Sequence, residues 1–384
     1  MARRVLLVAT VHWPSIARLA CGFATASCAV DVLSPHGAPV TVSRYVKNHH
    51  AYNALFPLAS LRAAVERAHP NLLVACDDRA VTHLLRLYES ECAKGGEASD
   101  IARLIERSLG APRNYALMMS RNTSMALARE VGIRVPQTFP VASEEELEAC
   151  LSVIGFPAVL KTDGSWGGDG VVIADNREQA HAAFRRLANP PSRLHSILRA
   201  AHRRDAHYLL SAIAPPRPTI CVQQFIKGRP AASAFASWRG EVVGSIAYDV
   251  VVADGTTGPP NVIRRVDCPE IEQAACLVAR RFGLSGLHGL DFIRDDSGAV
   301  HLLEINPRAT QGGTLPFGPG RDLPTALTGC ISIGDAPTRE PIVNDVVVLF
   351  PREWRRDPAS PYLSIGHHDV PWDDPAVLCA TIGT

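Results

Sequence analysis

The stretch LDFIRDDSGAVHLLEINPR, residues 290–308, says more about the architecture of this chain than any other segment. Two apolar runs flank DDSG at 295–298, a turn signal of the length that folds one strand back on its neighbour. With the turn centred on its last two residues, Asp291 lies directly across from Glu304. Side chains opposed in an antiparallel pair lie about 5 Å apart at Cβ. Residues two apart share a face of a strand, so Asn306 joins Glu304 there.

These three side chains would present oxygen atoms to one point. Two carboxylates there would repel each other, and the apolar neighbours on both strands indicate burial, where an unpaired charge is costly. A hard divalent cation resolves the conflict. Few oxygen ligands suit Mg²⁺ or Mn²⁺ held jointly with substrate phosphates better than a closed zinc site. Arg308 follows where a phosphate or a developing oxyanion needs a fixed positive charge. The alternative is a polar hairpin end at the surface.

A glycine-rich segment precedes this hairpin. In PAVLKTDGSWGGDGVVI, residues 157–173, an apolar strand ending in Lys161 leads into a loop and then into a second apolar strand. Glycines let backbone N–H groups approach phosphate oxygens, and a lysine adds a point charge. The pattern fits neither a P-loop nor a dinucleotide fingerprint, whose glycines lie at a strand-to-helix turn. Gly167, Gly168 and Gly170 are therefore predicted phosphate contacts, with a ligand-free glycine hairpin as the alternative.

In combination, these segments resemble the ATP-grasp superfamily of ligases, over about residues 110–325 and in the same order along the chain. The resemblance implies an ATP-grasp fold, of α/β and α+β class, behind an N-terminal Rossmann-like domain. It also implies that Asp291, Glu304 and Asn306 hold Mg²⁺ or Mn²⁺ against ATP. The string EINPR at 304–308 is most similar to the carbamoyl phosphate synthetase and biotin carboxylase branch.

The resemblance implies further substrate contacts. The strand ICVQQFIKG, residues 220–228, is similar to the hinge that holds adenine, and its predicted contacts to the base are Gln223, Gln224, Phe225 and Ile226. Arg121 stands where relatives carry a Lys or Arg that reaches the α-phosphate; a solvated helix charge is its alternative. Arg264 and Arg265 follow a loop that approaches the acyl substrate in relatives. Arg265 is predicted to be catalytic together with Arg308, against the alternative of two plain strand-end charges.

The remaining sequence organises around these motifs. VLLVAT from Val5, VDVLS from Val30 and NLLVAC from Asn71 each indicate a buried parallel strand, with helical patterns between them. Asp77 and Asp78 follow the third strand, where ligands bind in such sheets, although the start of a polar loop explains them equally well. The predicted division is an N-terminal domain at 1–112, an ATP-grasp domain at 113–325, with a lid at about 135–222 and a metal-bearing part at about 223–325, and a C-terminal extension at 326–384.

Two further segments carry weaker signals. The basic segment at 193–207 could meet an anionic substrate, but a solvated helix face is the better interpretation. The extension contains one strand pattern, DVVVLF at 345–350, which could complete a sheet or form a homodimer contact.

Composition excludes several classes of protein. A chain of 384 residues with 47% hydrophobic and 20% charged residues can bury a large core. A formal charge of +1 gives no electrostatic case for a nucleic-acid or membrane partner. No apolar run reaches the 18 or so residues of a membrane span. The ten scattered cysteines, without a Cys-x-x-Cys pair, fit the buried thiols of a cytoplasmic enzyme.

The resemblance thus implies an ATP-dependent ligase that joins a small carboxylic acid to an amine, or to a thiol. It would form an acylphosphate and release ADP and phosphate. One alternative is a bicarbonate-using carboxylase or carbamoyl phosphate synthetase-like enzyme, but ATQGGTLPFG after Arg308 departs from the synthetase sequence. A second alternative is an ATP-binding module without turnover, against which the intact set of metal ligands argues.

Overall fold

The computed structural model describes residues 3–94, 99–163, 170–189, 219–331 and 336–383, together with Ser196, Leu198, Ala200, Asp205 and Tyr208. Gly167, Gly168 and most of the basic segment at 193–207 lie outside the described residues. Three sheets carry the fold, which confirms the predicted mixture of parallel α/β and antiparallel structure.

The first sheet is parallel and has the strand order β3-β2-β1-β4. Its elements are β1 (Arg3–Val8), α1 (Ser15–Thr25), β2 (Cys28–Ser34), β3 (Val46–Ala51), α2 (Pro57–Ala68), β4 (Leu72–Ala75), α3 (Asp78–Cys92) and α4 (Asp100–Leu109). The three predicted strands are confirmed. Strand β3, with the sequence VKNHHA, was not predicted because it is a half-exposed edge strand without an apolar run. The strand order reverses between β1 and β4, and this opens a crevice at their carboxyl ends.

Two short helices connect this sheet to the second one. They are α5 (Tyr115–Met119) and α6 (Arg121–Glu130). The apolar residues Leu117, Met118, Met125, Leu127 and Val131 recur at mixed three- and four-residue spacing, which predicts one continuous helix, and that prediction is wrong. Ser120 adopts an extended conformation and caps α6 by accepting a hydrogen bond from the backbone N–H of Thr123. The break places Arg121 in the first turn of α6.

The second sheet is antiparallel, with the order β5-β8-β6-β7. Its elements are β5 (Thr138–Val141), α7 (Glu144–Ile154), β6 (Ala158–Thr162), β7 (Val171–Ala174), α8 (Arg177–Ala188) and β8 (Ile220–Gln224). The sequence SEEE from Ser143 predicts a capping box at the start of α7. The Glu146 N–H donates to the Ser143 hydroxyl as predicted, but the Glu146 carboxylate accepts from the Ala142 N–H, one residue before the N-cap. The two helices pack on the sheet through Leu147, Leu151 and Phe184.

The third sheet has seven strands in the order β13-β12-β9-β10-β11-β14-β15. Its elements are β9 (Gly228–Trp238), β10 (Glu241–Ala253), β11 (Pro260–Arg265), α9 (Pro269–Phe282), β12 (Gly286–Asp295), β13 (Val300–Asn306), α10 (Leu323–Cys330), β14 (Val346–Val348) and β15 (His367–His368). Helix α9 covers one face through a core that includes Phe235, Phe282 and Phe292. The other face packs with the first sheet and with α10 through a core that includes Ile246, Leu315 and Leu323.

The last part of the chain joins the third sheet to the first. Strand β14 pairs with β11, so the extension completes the sheet, which was one of the two predicted roles. It continues through α11 (Arg352–Arg356), α12 (Tyr362–Ile365) and α13 (Pro375–Ile382). Asp369 pairs with Arg18 at 2.6 Å, and Asp374 accepts a hydrogen bond from the Ser43 hydroxyl at 2.6 Å. None of the described helices combines the length and the apolar character needed to cross a membrane.

Candidate active site

The hairpin of β12 and β13 pairs Asp291 with Glu304, as the sequence predicted. The turn is centred on Ser297 and not between Ser297 and Gly298 as predicted, since the Asp295 N–H donates to the Ala299 carbonyl at 2.9 Å. The register then shifts next to Asp291, and Leu303 remains as an extra residue on β13. This β-bulge restores the predicted pairing and keeps both carboxylates opposed.

Asn306 links this pair to Arg308. Its amide nitrogen donates to Asp291 Oδ2 at 2.9 Å, and its amide oxygen accepts from the Arg308 guanidinium at 3.1 Å. Burial raises the pKa of Asp291, and the facing Glu304 carboxylate raises it further. The three predicted metal ligands, Asp291, Glu304 and Asn306, therefore lie together as a trio. The trio contains two carboxylates, and the hydrogen bond from Asn306 does not offset the repulsion between them.

Two cations approach the trio, Arg121 from α6 and Lys161 from the second sheet. Arg121 pairs with Glu304 at 2.8 Å and also donates from Nε to the Thr162 carbonyl at 3.2 Å. Lys161, on β6, is 6% exposed. Burial lowers the pKa of its ammonium group, and the neighbouring Arg121 lowers it further, while Glu304 and Asp291 oppose this. The two predicted phosphate-binding cations thus lie beside the predicted metal ligands, although they are more than 120 residues away from them in the sequence.

Gly170 ends the described part of the glycine loop. Its carbonyl accepts a hydrogen bond from the Thr162 N–H at 3.0 Å, and its φ of +88° is a conformation that favours glycine. Its contact with phosphate stays a prediction.

The hinge strand supplies no free amide at Gln223. This side chain is buried, and its nitrogen donates to the Thr138 hydroxyl at 3.1 Å. The Gln224 N–H donates to the Gln137 carbonyl at 2.8 Å. Phe225 and Ile226 follow the strand and are partly buried. Adenine contacts from these four residues stay a prediction.

Arg308 extends the site to the first sheet. Its Nε donates to Asp78 Oδ2 at 2.9 Å, and its guanidinium carbon lies 5.3 Å from the centre of the Trp13 ring. Asp77 is different: it caps α3 by accepting from the Ala80 N–H, and it also accepts from the Thr10 N–H at 2.6 Å. Of the two aspartates, only Asp78 therefore faces the site.

Trp13 was not among the predicted site residues. It follows the carboxyl end of β1, at the crevice that the reversal of strand order opens. The same edge rule that singled out Asp77 and Asp78 could have found it.

Arg265 lies elsewhere on the sheet. Its Nε donates to Asp345 Oδ1 at 2.8 Å, and its Nη1 lies 3.2 Å from Asp267. Arg264 is exposed. The structure therefore does not bring Arg265 into contact with the trio, and its catalytic role stays a prediction.

Asp291, Glu304 and Asn306 fit a metal ion only if a bound ligand supplies additional oxygen atoms. Among the described residues, no three or more His, Cys, Asp or Glu side chains are arranged to hold a metal ion. The two opposed carboxylates and the Asn306 oxygen could hold one when a ligand supplies further oxygen atoms. Mg²⁺ binds in this way, through one or two carboxylates together with substrate phosphates.

Comparisons with known proteins identify the family of this chain. Residues 121–312, half of the chain, match the ATP-grasp domain family. A relative from Geobacillus stearothermophilus, the carbamoyl phosphate synthase arginine-specific large chain, is 24% identical over 266 residues. That match covers 65% of this chain and 23% of the relative, so this chain spans less than a quarter of the relative's length.

Solved structures share the fold at low identity. Carboxyaminoimidazole ribonucleotide synthase from Aspergillus clavatus, complexed with ATP, superposes with a TM-score of 0.61 at 13% identity, covering 88% of this chain and 80% of that one. L-amino acid ligase from Bacillus licheniformis superposes with a TM-score of 0.58 at 12% identity, covering 87% and 76%. The family match contains Arg121, Lys161 and the complete hairpin, and we conclude that this chain belongs to the ATP-grasp family.

Proposed function

We propose that this protein is an ATP-dependent ligase that activates a carboxylic acid as an acylphosphate and transfers the acyl group to an amine. The observation that carries the proposal is the meeting of two opposed carboxylates, Asp291 and Glu304, with two buried cations, Arg121 and Lys161. Negative charge on one side and positive charge on the other suit a polyphosphate that shares a divalent cation.

The cations have distinct positions in this arrangement. Lys161 lies on a strand next to the glycine loop and would bind the phosphate chain as a point charge. Arg121 pairs with Glu304 in the described structure and would turn part of its guanidinium to phosphate when ATP binds. Asp291, Glu304 and Asn306 would hold Mg²⁺ or Mn²⁺, which supplies charge neutralisation at the β- and γ-phosphates.

The chemistry then needs alignment more than a strong base. A carboxylate oxygen of the donor attacks the γ-phosphorus, the bond to the β–γ bridging oxygen breaks, and ADP leaves with that oxygen. The amine nitrogen next attacks the acyl carbon, the carbon–oxygen bond to phosphate breaks, and the nitrogen loses a proton to the departing phosphate or to water. Arg308 is placed to stabilise the negative charge that spreads in both steps, since Asp78, Asn306 and the Trp13 ring hold its guanidinium in place.

A second candidate is activation of bicarbonate. The EINPR string is similar to the synthetase and carboxylase branch, and a carbamoyl phosphate synthase chain is among the relatives. The segment after Arg308, ATQGGT, argues against it because it departs from the synthetase sequence.

The test is release of ADP and phosphate from MgATP across a panel of carboxylic acids, amines and bicarbonate, with product masses measured for every positive pair. We expect release that requires both an acid and an amine, and a product lighter than their sum by one water. Glu304→Gln serves as the blank, because glutamine still offers Arg121 an oxygen acceptor but removes one carboxylate charge. Release with bicarbonate alone would favour the second candidate, and release without any acid would contradict both.

A further inference from the structure

One cross-strand row links the metal ligands to a tyrosine. Glu304 pairs with Asp291, Asp291 with Ala232, Ala232 with Tyr248, and Tyr248 with Arg265. Directly paired residues point to the same face of a sheet. Two strand spacings separate the backbones of Asp291 and Tyr248, which is roughly 10 Å. Between Asp291 and Tyr248 the row contains Ala232, whose side chain is a single methyl group.

The segment that follows Arg308 lies flat on this face. A Cβ added to Gly289 of β12 would come within 2.4 Å of the Thr310 methyl carbon. A Cβ added to Gly312 would come within 2.4 Å of Tyr248 Cε1 and 2.7 Å of its hydroxyl oxygen. The chain therefore crosses from β12 to β10 in close contact with the sheet, and Gly312 touches the phenol end of Tyr248. This segment begins the ATQGGTLPFG sequence, which departs from that of carbamoyl phosphate synthetase.

Two hydroxyl groups on this path, those of Thr310 and Tyr248, make no hydrogen bond within the part of the chain that the structure describes. The Thr310 hydroxyl oxygen is buried and has no hydrogen-bond partner in the described structure. Tyr248 is 4% exposed, and its hydroxyl makes no hydrogen bond to any residue that the structure describes. Burying the Thr310 hydroxyl without a partner is costly, so this group is expected to have a partner in the working protein.

The buried surroundings of the phenol favour its protonated form. Burial raises the pKa of Tyr248, Asp291 raises it further, and Arg308 opposes this. The phenol therefore offers a hydrogen rather than a negative charge. Beside the Asp291 carboxylate, this part of the site thus offers two hydroxyl donors and the Arg308 guanidinium, which suit the oxygen atoms of an anion.

We propose that Tyr248 and Thr310 form the acyl subsite, in which their hydroxyls donate hydrogen bonds to the carboxylate oxygens of the acid to be phosphorylated. The inference rests on the proposed function and assigns its donor site. The subsite lies beside Asp291, so a carboxylate held there would be next to the terminal phosphate of ATP. Tyr248 and Thr310 recognise the donor and leave ATP to Arg121 and Lys161.

The experiment uses hydroxylamine to trap the acylphosphate as a hydroxamate, which needs ATP and an acid but no natural acceptor. Wild-type protein is first assayed with acetate, glycine, L-alanine, L-glutamate and succinate. The acid that reacts best is then used with Tyr248→Phe and Thr310→Val. We expect KM for that acid to rise about tenfold or more in each variant, the usual effect of losing a hydrogen bond to a charged group, with KM for ATP within twofold of wild type.

Two controls separate recognition from structural damage. Thr310→Ser keeps the hydroxyl and should restore most of the acid affinity. Tyr115→Phe removes the hydroxyl of another buried tyrosine, which donates to the Leu109 carbonyl at 2.9 Å, and should leave KM for the acid unchanged. Equal loss of acid and ATP affinity, or an unchanged KM for the acid in Tyr248→Phe and Thr310→Val, would overturn the subsite. Hydroxamate from no acid with wild-type protein would overturn the proposed function and the subsite with it.

Discussion

Asp291→Asn is expected to make the metal-free protein more stable while it abolishes turnover. In the wild type, Asp291 faces Glu304 directly, and both burial and this neighbour raise the pKa of Asp291. At neutral pH the folded state therefore holds a second negative charge that the unfolded chain accommodates more easily. Asparagine has nearly the same shape and keeps an oxygen that can accept the hydrogen bond from Asn306, now 2.9 Å long.

The expected gain in stability can be derived from the raised pKa of Asp291. One pKa unit corresponds to about 1.4 kcal/mol between the two protonation states. Because Asp291 is only partly buried, we expect a gain of about 1–2 kcal/mol in the free energy of unfolding at pH 7.5. For a chain of this size that is a rise in Tm of roughly 2–4 °C. A carboxyl group with a raised pKa costs stability as the pH rises above its ordinary value of 3.8, so the gain should vanish towards pH 4.

The assay is thermal unfolding with EDTA, repeated with MgATP, beside a measurement of ADP release. MgATP should raise the Tm of the wild type and have much less effect on Asp291→Asn, because binding stabilises only the state that binds. Asp249→Asn is the matched control: it removes an aspartate from β10 that pairs with Arg294 at 2.9 Å. It should lower stability slightly and leave turnover intact. A destabilised Asp291→Asn would refute the argument from burial and repulsion, and a variant that still turns over ATP would refute a metal-binding role for this carboxylate.

Three other changes test the remaining assignments. Lys161→Met should weaken ATP binding about tenfold or more, because it removes a buried positive charge from the proposed phosphate site. Unchanged ATP affinity in calorimetry would count against phosphate binding by Lys161 and the glycine loop. Asp78→Asn should reduce kcat about tenfold without changing KM for ATP, since Arg308 loses its anionic partner, and a normal kcat would show that this pairing is dispensable. Glu148 and Glu144 of α7 bond His181 and raise the pKa of its imidazole. The stability that these bonds contribute is therefore complete below pH 6.5 and is lost as the pH rises through the raised pKa. Denaturant unfolding from pH 6 to 9 should show this decline in the wild type and not in His181→Gln.

Local sequence patterns were sufficient for much of the fold. Buried parallel strands appear as continuous apolar runs, so β1, β2 and β4 were predicted near their observed positions. A turn signal between two apolar runs predicted the hairpin, and the alternation of side chains along a strand placed Asn306 on the face of Glu304. These features depend on residues within about ten positions of one another, which is the range that periodicity and turn chemistry report.

Other features of the fold depend on interactions that apolar spacing along the sequence does not report. The pairing of Asp291 with Glu304 depends on the Leu303 bulge, which compensates for a turn centred on Ser297 and not between Ser297 and Gly298. Ser120 breaks a helix whose apolar spacing looked continuous. Strand β3 is an edge strand with one neighbour, so it needs no apolar run and carries no strong signal. In each case a competing local or tertiary interaction outweighed the pattern.

The site residues likewise divide into those that the sequence predicted and those that only the tertiary structure brings to the site. Sequence alone, through motifs and family resemblance, pointed to Lys161, Arg121, Asp291, Glu304, Asn306 and Arg308, and the structure brings these side chains together. The contacts of Arg308 with Asp78 and Trp13, and the approach of Gly312 to Tyr248, join residues up to about 300 positions apart. Spacing along a chain does not record such meetings, because they arise only when two sheets and the segment between them pack against one another.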